Sequence, residues 1–324
     1  MNVRLAFLLL GFLTALLACT ACRPEKLPEN KLVFFGFNEV FLGQWLNDSF
    51  TLKPLSIPVL VLRVSAVAQG PHEDELTLLG VGNDSGKFTV YLFKPSTGAL
   101  TKILDQDSLD GSKHTTFGPW PALTPSGNQI AFLSFGATQQ VSEDFKHREV
   151  TVDLDSGTRT IGTQNIWLYD LMSRRSTLVV KEKAFGNTSL SWMSNGQTLT
   201  YDSIDGFIES VDVKTRDVSK IARGRMPAWS PDGKQLVYVE DKMLVIKDVV
   251  NGLSRTIYKR WFWQSDFAEH LSWSPDSRYL AFNVYAGFAG YEYECIVIEV
   301  GTEVSFSVHT SSYFCGLWVN SKKS

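Results

Sequence analysis

One short phrase recurs along this chain and restricts what it can fold into. Trp229-Ser230-Pro231-Asp232-Gly233 returns as Trp273-Ser274-Pro275-Asp276-Ser277. Worn copies read Trp192-Met193-Ser194-Asn195-Gly196 and Leu123-Thr124-Pro125-Ser126-Gly127. A cut-off copy, Gly316-Leu317-Trp318, stands near the C-terminus. Each full copy leads into an apolar run such as Leu236-Val237-Tyr238 or Leu280-Ala281-Phe282. Proline sets the negative φ of an early turn position, Asp or Asn caps local amides, and Gly takes the positive φ at the end. Each copy therefore predicts a tight β-hairpin. Positions 123, 192, 229, 273 and 318 are separated by 69, 37, 44 and 45 residues. One hairpin signature about every 40 residues is the period of a propeller blade or a similar array. The 69-residue gap is too long for a bare unit and must hold an insertion.

A second hairpin signal follows the first. After Tyr238 come 244–249, the turn Asn251-Gly252, and 254–258. After Tyr201 come 208–213, the turn 214–217, and 218–221. Four strands per unit is the content of a propeller blade. The phrase resembles the WD40-like repeat of TolB-type β-propellers, where it joins the innermost strand of a blade to the second. Residues 229–233 and 273–276 carry the resemblance best, 192–196 and 123–127 more loosely. It implies an all-β, six-bladed β-propeller with a role near the cell envelope. TolB itself has a further N-terminal domain, whereas eight residues (23–30) separate Cys22 from the first strand here. That difference argues against a direct role in the Tol system.

The chain ends complete the count. Lys31-Leu32-Val33-Phe34-Phe35 looks like the strand after a turn, with no phrase before it. The copy at Trp318 has no strand after it. Joined, they make one blade, with the C-terminus as inner strand and 31–37, 40–46 and 50–55 as the other three. Such closure pairs the C-terminal strand with N-terminal strands and removes sheet edges. Residues 57–64 read as the next inner strand, completed by 76–81, 88–93 and 100–104. Further blades run over 119–180, 188–222, 226–258 and 270–309, which gives six. Five would result if the first 55 residues packed elsewhere.

Residues 1–18 read as a secretory signal peptide, with Arg4 before an apolar run over 5–18. That run is short for a membrane span. Leu16-Leu17-Ala18-Cys19 resembles a bacterial lipobox, which implies cleavage before Cys19 and lipidation of its thiol. Cys22 is the alternative site, and an ordinary cleaved secretory peptide is the competing reading. The chain thus divides into a signal peptide (1–18), a lipidated cysteine with a polar tether (19–30), and one propeller domain (31–324). The expected place is the surface of a bacterial membrane, facing periplasm or cell exterior.

No nucleophile elbow, phosphate-binding glycine loop or dinucleotide fingerprint is present. His72, His114, His147, His270 and His309 show no short metal-ligand spacing. A metal site built across blades stays open, but none is assigned, and no cofactor is expected. Asp153, Asp155 and Gly157 read as a β-turn rather than a calcium loop, whose closing Glu is missing. Net charge is −3 with no sustained basic run, so nucleic acid is not a partner. Lys214, Arg216, Lys220, Arg223 and Arg225 read as a solvated outer strand. Cys295 and Cys315 either form a disulfide in an exported chain or are buried free thiols.

In a four-stranded blade, connections between strands two and three, and between blades, share one face. The phrase turns and the three-to-four turns share the other. Long connections (105–118, 136–164, 259–270 and 284–294) gather on the first face; 65–75 is the exception. Two of them are aromatic: Trp261, Phe262, Trp263 and Phe267, then Tyr285, Phe288, Tyr291 and Tyr293. Such rings suit protein hot spots and sugar stacking alike, or they pack the loops against the blades. The expected function is a monomeric, membrane-anchored scaffold binding a protein or an envelope polymer. The alternative is a carbohydrate-active, lyase-like enzyme using the propeller mouth, which would need histidines converging there.

Overall fold

The phrase forms the hairpins it predicts, and the hydroxyl before the proline holds each turn. Ser230 Oγ accepts the Gln235 amide at 2.9 Å and donates to Asp232 Oδ1 at 2.6 Å. Ser274 repeats the first bond with the Tyr279 amide at 2.8 Å, and Thr124 with the Gln129 amide at 3.1 Å. In the worn copy Met193 has no hydroxyl, and Asn195 Oδ1 takes the Gln197 and Thr198 amides instead. A computed structural model of the chain describes residues 31–35, 39–46, 49–57, 61–69, 75–82, 88–105, 114–117, 121–136, 150–154, 157–161, 164–184, 189–260, 267–286, 292–309 and 314–319.

These residues form six small antiparallel sheets in a ring, with no helix among them. Blade one contains β1 (Lys31–Phe35), β2 (Val40–Leu46) and β3 (Ser49–Leu55). Blade two is β4 (Val61–Gln69), β5 (Leu76–Gly82), β6 (Phe88–Lys94) and β7 (Ala99–Asp105). In blade three the inner strand comes in two pieces, β8 (His114–Phe117) and β9 (Ala122–Leu123), both paired with β10 (Gln129–Gly136). An inserted hairpin, β11 (Val150–Leu154) with β12 (Gly157–Ile161), precedes β13 (Gln164–Asp170) and β14 (Arg175–Ala184). Blade four is β15 (Ser191–Trp192), β16 (Thr198–Asp202), β17 (Phe207–Asp212) and β18 (Val218–Arg223). Blade five is β19 (Arg225–Trp229), β20 (Gln235–Glu240), β21 (Met243–Asp248) and β22 (Ser254–Lys259). Blade six is β23 (Phe267–Trp273), β24 (Tyr279–Ala286), β25 (Glu292–Glu299) and β26 (Ser305–His309). Finally β27 (Phe314–Val319) returns to blade one as its innermost strand, in the order β27-β1-β2-β3.

The register shows that this closing strand is a true copy of the others. Trp192, Trp229 and Trp273 stand opposite Leu199, Leu236 and Leu280. Trp318 stands opposite Leu32 in the same way, with no covalent turn between them. The innermost strands β4, β9, β15, β19, β23 and β27 each touch the next, and β27 touches β4. The ring is six-bladed and closed; the five-bladed alternative is excluded by β1–β3 taking their place beside β27.

The core lies between blades rather than within them. Apolar clusters fill the seams of blades three and four, four and five, five and six, and six and one, while another joins blades one, two and three. Second and third strands are therefore covered on both faces and read as apolar runs, such as Leu236-Val237-Tyr238-Val239, all buried. Fourth strands face water, and β18 and β22 are largely exposed. Three phrase tryptophans also reach back to the preceding blade. The indole of Trp192 donates to Ala122 O at 3.1 Å, that of Trp229 to Thr200 Oγ1 at 2.8 Å, and that of Trp273 to Ala228 O at 3.0 Å. The serine before the tryptophan takes part too. Ser191 Oγ accepts the Trp229 amide at 2.9 Å, and Ser272 Oγ the Trp318 amide at 3.2 Å.

Several strand boundaries differ from the sequence reading; in blade six, 267–269, 284–286 and 292–294 are strand rather than connection. The second inner strand runs over Val61–Gln69, so 65–69 is strand rather than connection. Residues 114–117, expected in a long connection, begin the inner strand of blade three. Pro121 has no amide to offer a ladder, and β9 starts only after it. The last strand of blade three extends to Ala184, past the expected end at 180.

Trp318 sits between Trp45 of blade one and Tyr279 of blade six, with ring centroids 6.2 and 6.1 Å away. It is 2% exposed, and its indole nitrogen has no hydrogen-bond partner. Trp318→Ala should cost about 3–5 kcal/mol of stability, and truncation before Phe314 should unfold the whole ring. Chemical denaturation checks both; an unchanged midpoint for the truncation would refute closure. Trp273→Phe should cost roughly 1–2 kcal/mol more than Trp318→Phe, since only the first strands a buried carbonyl.

Candidate binding face

The ring has two unlike faces. On one, the phrase turns touch from blade to blade. The Asp232 amide donates to Ser277 Oγ at 3.2 Å across the seam of blades five and six. Gly233 has φ +71°, and a Cβ there would collide with Ser194 Oγ of blade four. The three-to-four turns lie on the same face, tied to the phrase turns by backbone bonds. These are Leu171 N to Asn128 O, Val213 N to Gln197 O, Val249 N to Lys234 O and Val300 N to Arg278 O, all 2.9–3.0 Å. This turn face is short-looped and bonded to itself.

The opposite, loop face carries the connections between strands two and three and between blades. There β10 and β13 are joined through the β11–β12 hairpin, in which Leu154 stands opposite Gly157. Asp153 lies on β11, opposite Thr158, and Asp155 lies outside the described residues. Of the aromatic residues expected on this face, Tyr285 and Tyr293 are described directly. They stand opposite each other at the loop-face end of β24 and β25, half-buried, with ring centroids 5.2 Å apart. Trp261, Phe262, Trp263, Phe288 and Tyr291 lie outside the described residues, as do Cys19 and Cys22.

Phe267 requires a correction. It opens β23 and is buried between blades five and six, 6.3 Å from the Tyr258 ring and 5.9 Å from that of Phe282. The Arg260 guanidinium lies 5.8 Å from its centroid. Phe267 is core, not a contact residue.

A buried polar group escaped the sequence altogether. Glu209 on β17 is 0% exposed and accepts the Tyr201 hydroxyl at 2.9 Å. Lys183 of blade three places its Nζ 3.7 Å from the same oxygen. Burial, and then the adjoining Glu209, push the Tyr201 hydroxyl far above the usual tyrosine range. Beside it Asp202 Oδ1 accepts the Met226 amide at 2.9 Å, linking blade four to blade five. In sequence Glu209 reads as an ordinary outward position between Ile208 and Ser210, and only the neighbouring blade covers it. Among the described residues no three His, Cys, Asp or Glu side chains gather as a metal site. His114 and His270 stand on inner strands of blades three and six, and His309 on an outer strand.

No protein-family model matches the sequence, and no curated protein matches it. Solved structures match in shape. TolB from Acinetobacter baumannii superimposes with a TM-score of 0.63 over 90% of this chain, at 14% identity. The fold is a TolB-type six-bladed β-propeller. The chain spans 66% of that TolB chain, just under two thirds. A chain of a nidogen/laminin complex superimposes with a TM-score of 0.59 over 91% of this chain and 100% of its own length, at 9% identity. An oligogalacturonate lyase in complex with manganese reaches only 0.48 at 12% identity, too loose a likeness for its chemistry to bear on this propeller.

Cys295 on β25 is fully buried and disulfide-bonded. It shares the seam of blades six and one with Leu32, Phe34 and Trp318, and β25 touches β27, which carries Cys315. The expected bridge joins Cys295 to Cys315. A non-reducing digest should yield one linked peptide containing both, and Cys315→Ser should lower stability by roughly 3 kcal/mol. An unlinked Cys315 would refute the pairing.

Proposed function

We propose that this chain is an exported, lipid-anchored scaffold that holds a protein or a cell-envelope polymer on its loop face. The observation that carries the reading is the asymmetry of the ring. One face is made of short turns bonded to each other, and the other gathers the long connections. Rigid blades with variable loops on one side are the usual arrangement of a recognition surface. Export is supported by the apolar segment over 5–18 and by the disulfide at Cys295, which fits an oxidising compartment. Attachment is through Cys19, with Cys22 as the alternative. The scaffold acts as a monomer, with neither cofactor nor nucleic acid.

The aromatic residues Trp261, Phe262, Trp263, Phe288 and Tyr291, with the paired Tyr285 and Tyr293, supply the contact area. Large rings with a polar tip dominate protein contacts and also stack on sugars.

The test is a double variant, Trp261→Ala with Trp263→Ala, and separately Tyr291→Ala. Each is scored for partners retained from solubilised membranes, for co-sedimentation with purified envelope polymer, and for melting temperature. Binding should fall at least about tenfold, as aromatic hot spots do, with melting unchanged. Unaffected binding would move the site elsewhere; binding and melting lost together would make the rings core.

A further inference from the structure

We infer that the turn face is the side of the ring that rests on the membrane, with the tips of blades three and five touching a phospholipid surface. The inference rests on the proposed anchor but uses different residues. Three large apolar side chains stand out from the described surface: Met172 at 90%, Val250 at 81% and Leu253 at 70% exposed. The next, Val218 and Leu52, reach only 43% and 38%, on outer strands. All three prominent residues occupy three-to-four turns, which the backbone bonds to the phrase turns place on the turn face.

The turns do not need these side chains. In the blade-five turn, Asp248 Oδ1 takes the Val250 and Asn251 amides at 2.8 and 3.2 Å, and Gly252 supplies the positive φ of +74°. Any residue could stand at 250 and 253. The matching turn of blade two is Pro95-Ser96-Thr97-Gly98, wholly without large apolar residues. Between the two apolar tips, the blade-four turn exposes Lys214 and Arg216, and Arg174 adjoins Met172. Two acids of these turns are engaged by turn amides, Asp170 by Ser173 and Asp212 by Lys214 and Thr215, while Asp217 beside Arg216 is exposed. Aliphatic tips beside cations on flexible stems suit the boundary of a bilayer, where apolar groups bury shallowly and charges stay wet.

The chain ends supply the occupant. Lys31 stands opposite Val319, at the position where other blades have their phrase turn. The segment leading to Cys19 therefore leaves from the turn face. From Cys19 to Lys31 is twelve residue steps, at most about 40 Å. Such a tether holds the ring near the bilayer without fixing its tilt. Three aliphatic side chains alone would hold it weakly, but beside a lipid anchor they set which face is down, the two-signal logic of peripheral attachment.

The test places a fluorescent label at Val250→Cys or, on the loop face, at Asp241→Cys. The lipidated protein is reconstituted into phosphatidylcholine–phosphatidylglycerol vesicles with headgroup-attached quencher, after removing whichever of Cys19 and Cys22 is unmodified. A second preparation replaces both cysteines by serine and tethers an N-terminal histidine tag to nickel-chelating lipid. Quenching at 250 should exceed that at 241 several-fold in both, and Leu253→Asp with Met172→Asp should erase the difference. Equal quenching, or more at 241, overturns the inference. So does a label at 250 that is already buried in a dimer without vesicles, as sedimentation would show. Failure of the anchor itself reads out separately, as absence of lipid on the native protein while the tagged form keeps its contrast.

Discussion

A single blade of this chain has two apolar faces and cannot keep both from water alone. Its middle strands are sound only when a neighbour covers each side, and that neighbour has the same need. The demand is met once the series returns to its start. Everything therefore depends on β27 pairing with β1, where Trp318 meets Leu32 across almost the whole length of the sequence. Without that ladder, blade six loses the Trp318 ring from Tyr279, and blade one loses its inner strand. The backward-reaching indoles then fix the angle between neighbours, since each needs a carbonyl or hydroxyl at one place on the preceding blade.

The elements legible in the sequence were those set by local chemistry. A proline, an acid and a glycine at fixed spacing favour a turn, so blades three to six and the closing strand followed from the phrases, and blade two, which has none, from its run of strands. What was not legible depended on contacts between blades. Phe267 sits next to a run of aromatics and reads as loop until β19 and β24 are placed around it. The early start of the blade-three inner strand at His114 has no phrase to mark it. Glu209 is hidden because nothing in Phe207–Asp212 marks an acid as buried; Tyr201 and Lys183 reach it only in the folded ring. Among the aromatic residues, the sequence could not separate Tyr285 and Tyr293, a half-buried pair at the rim, from Phe267 in the core.

The buried Glu209 illustrates what a polar group does inside a seam. Its carboxylate is held by a hydroxyl from its own blade and approached by an ammonium from the preceding one, while its second oxygen has no partner. Apolar residues of the same volume would often serve stability as well. The arrangement instead makes the seam of blades three and four directional, because Lys183 meets Glu209 in one register only.

The ladder that closes the ring also has a mechanical character. β1 lies between β27 and β2, hydrogen-bonded on both sides, and its first residue is where the N-terminal segment joins the propeller. A pull on that segment away from the turn face acts along the strand axis. The rungs on both sides of β1 are then loaded together, in shear, rather than peeled one after another from an end. A load between the loop face and the N-terminal segment would thus meet the longest-range pairing of the chain, β1 with β27, and the local pairing of β1 with β2 at once. The seam that is hardest to form is also the one placed to bear force.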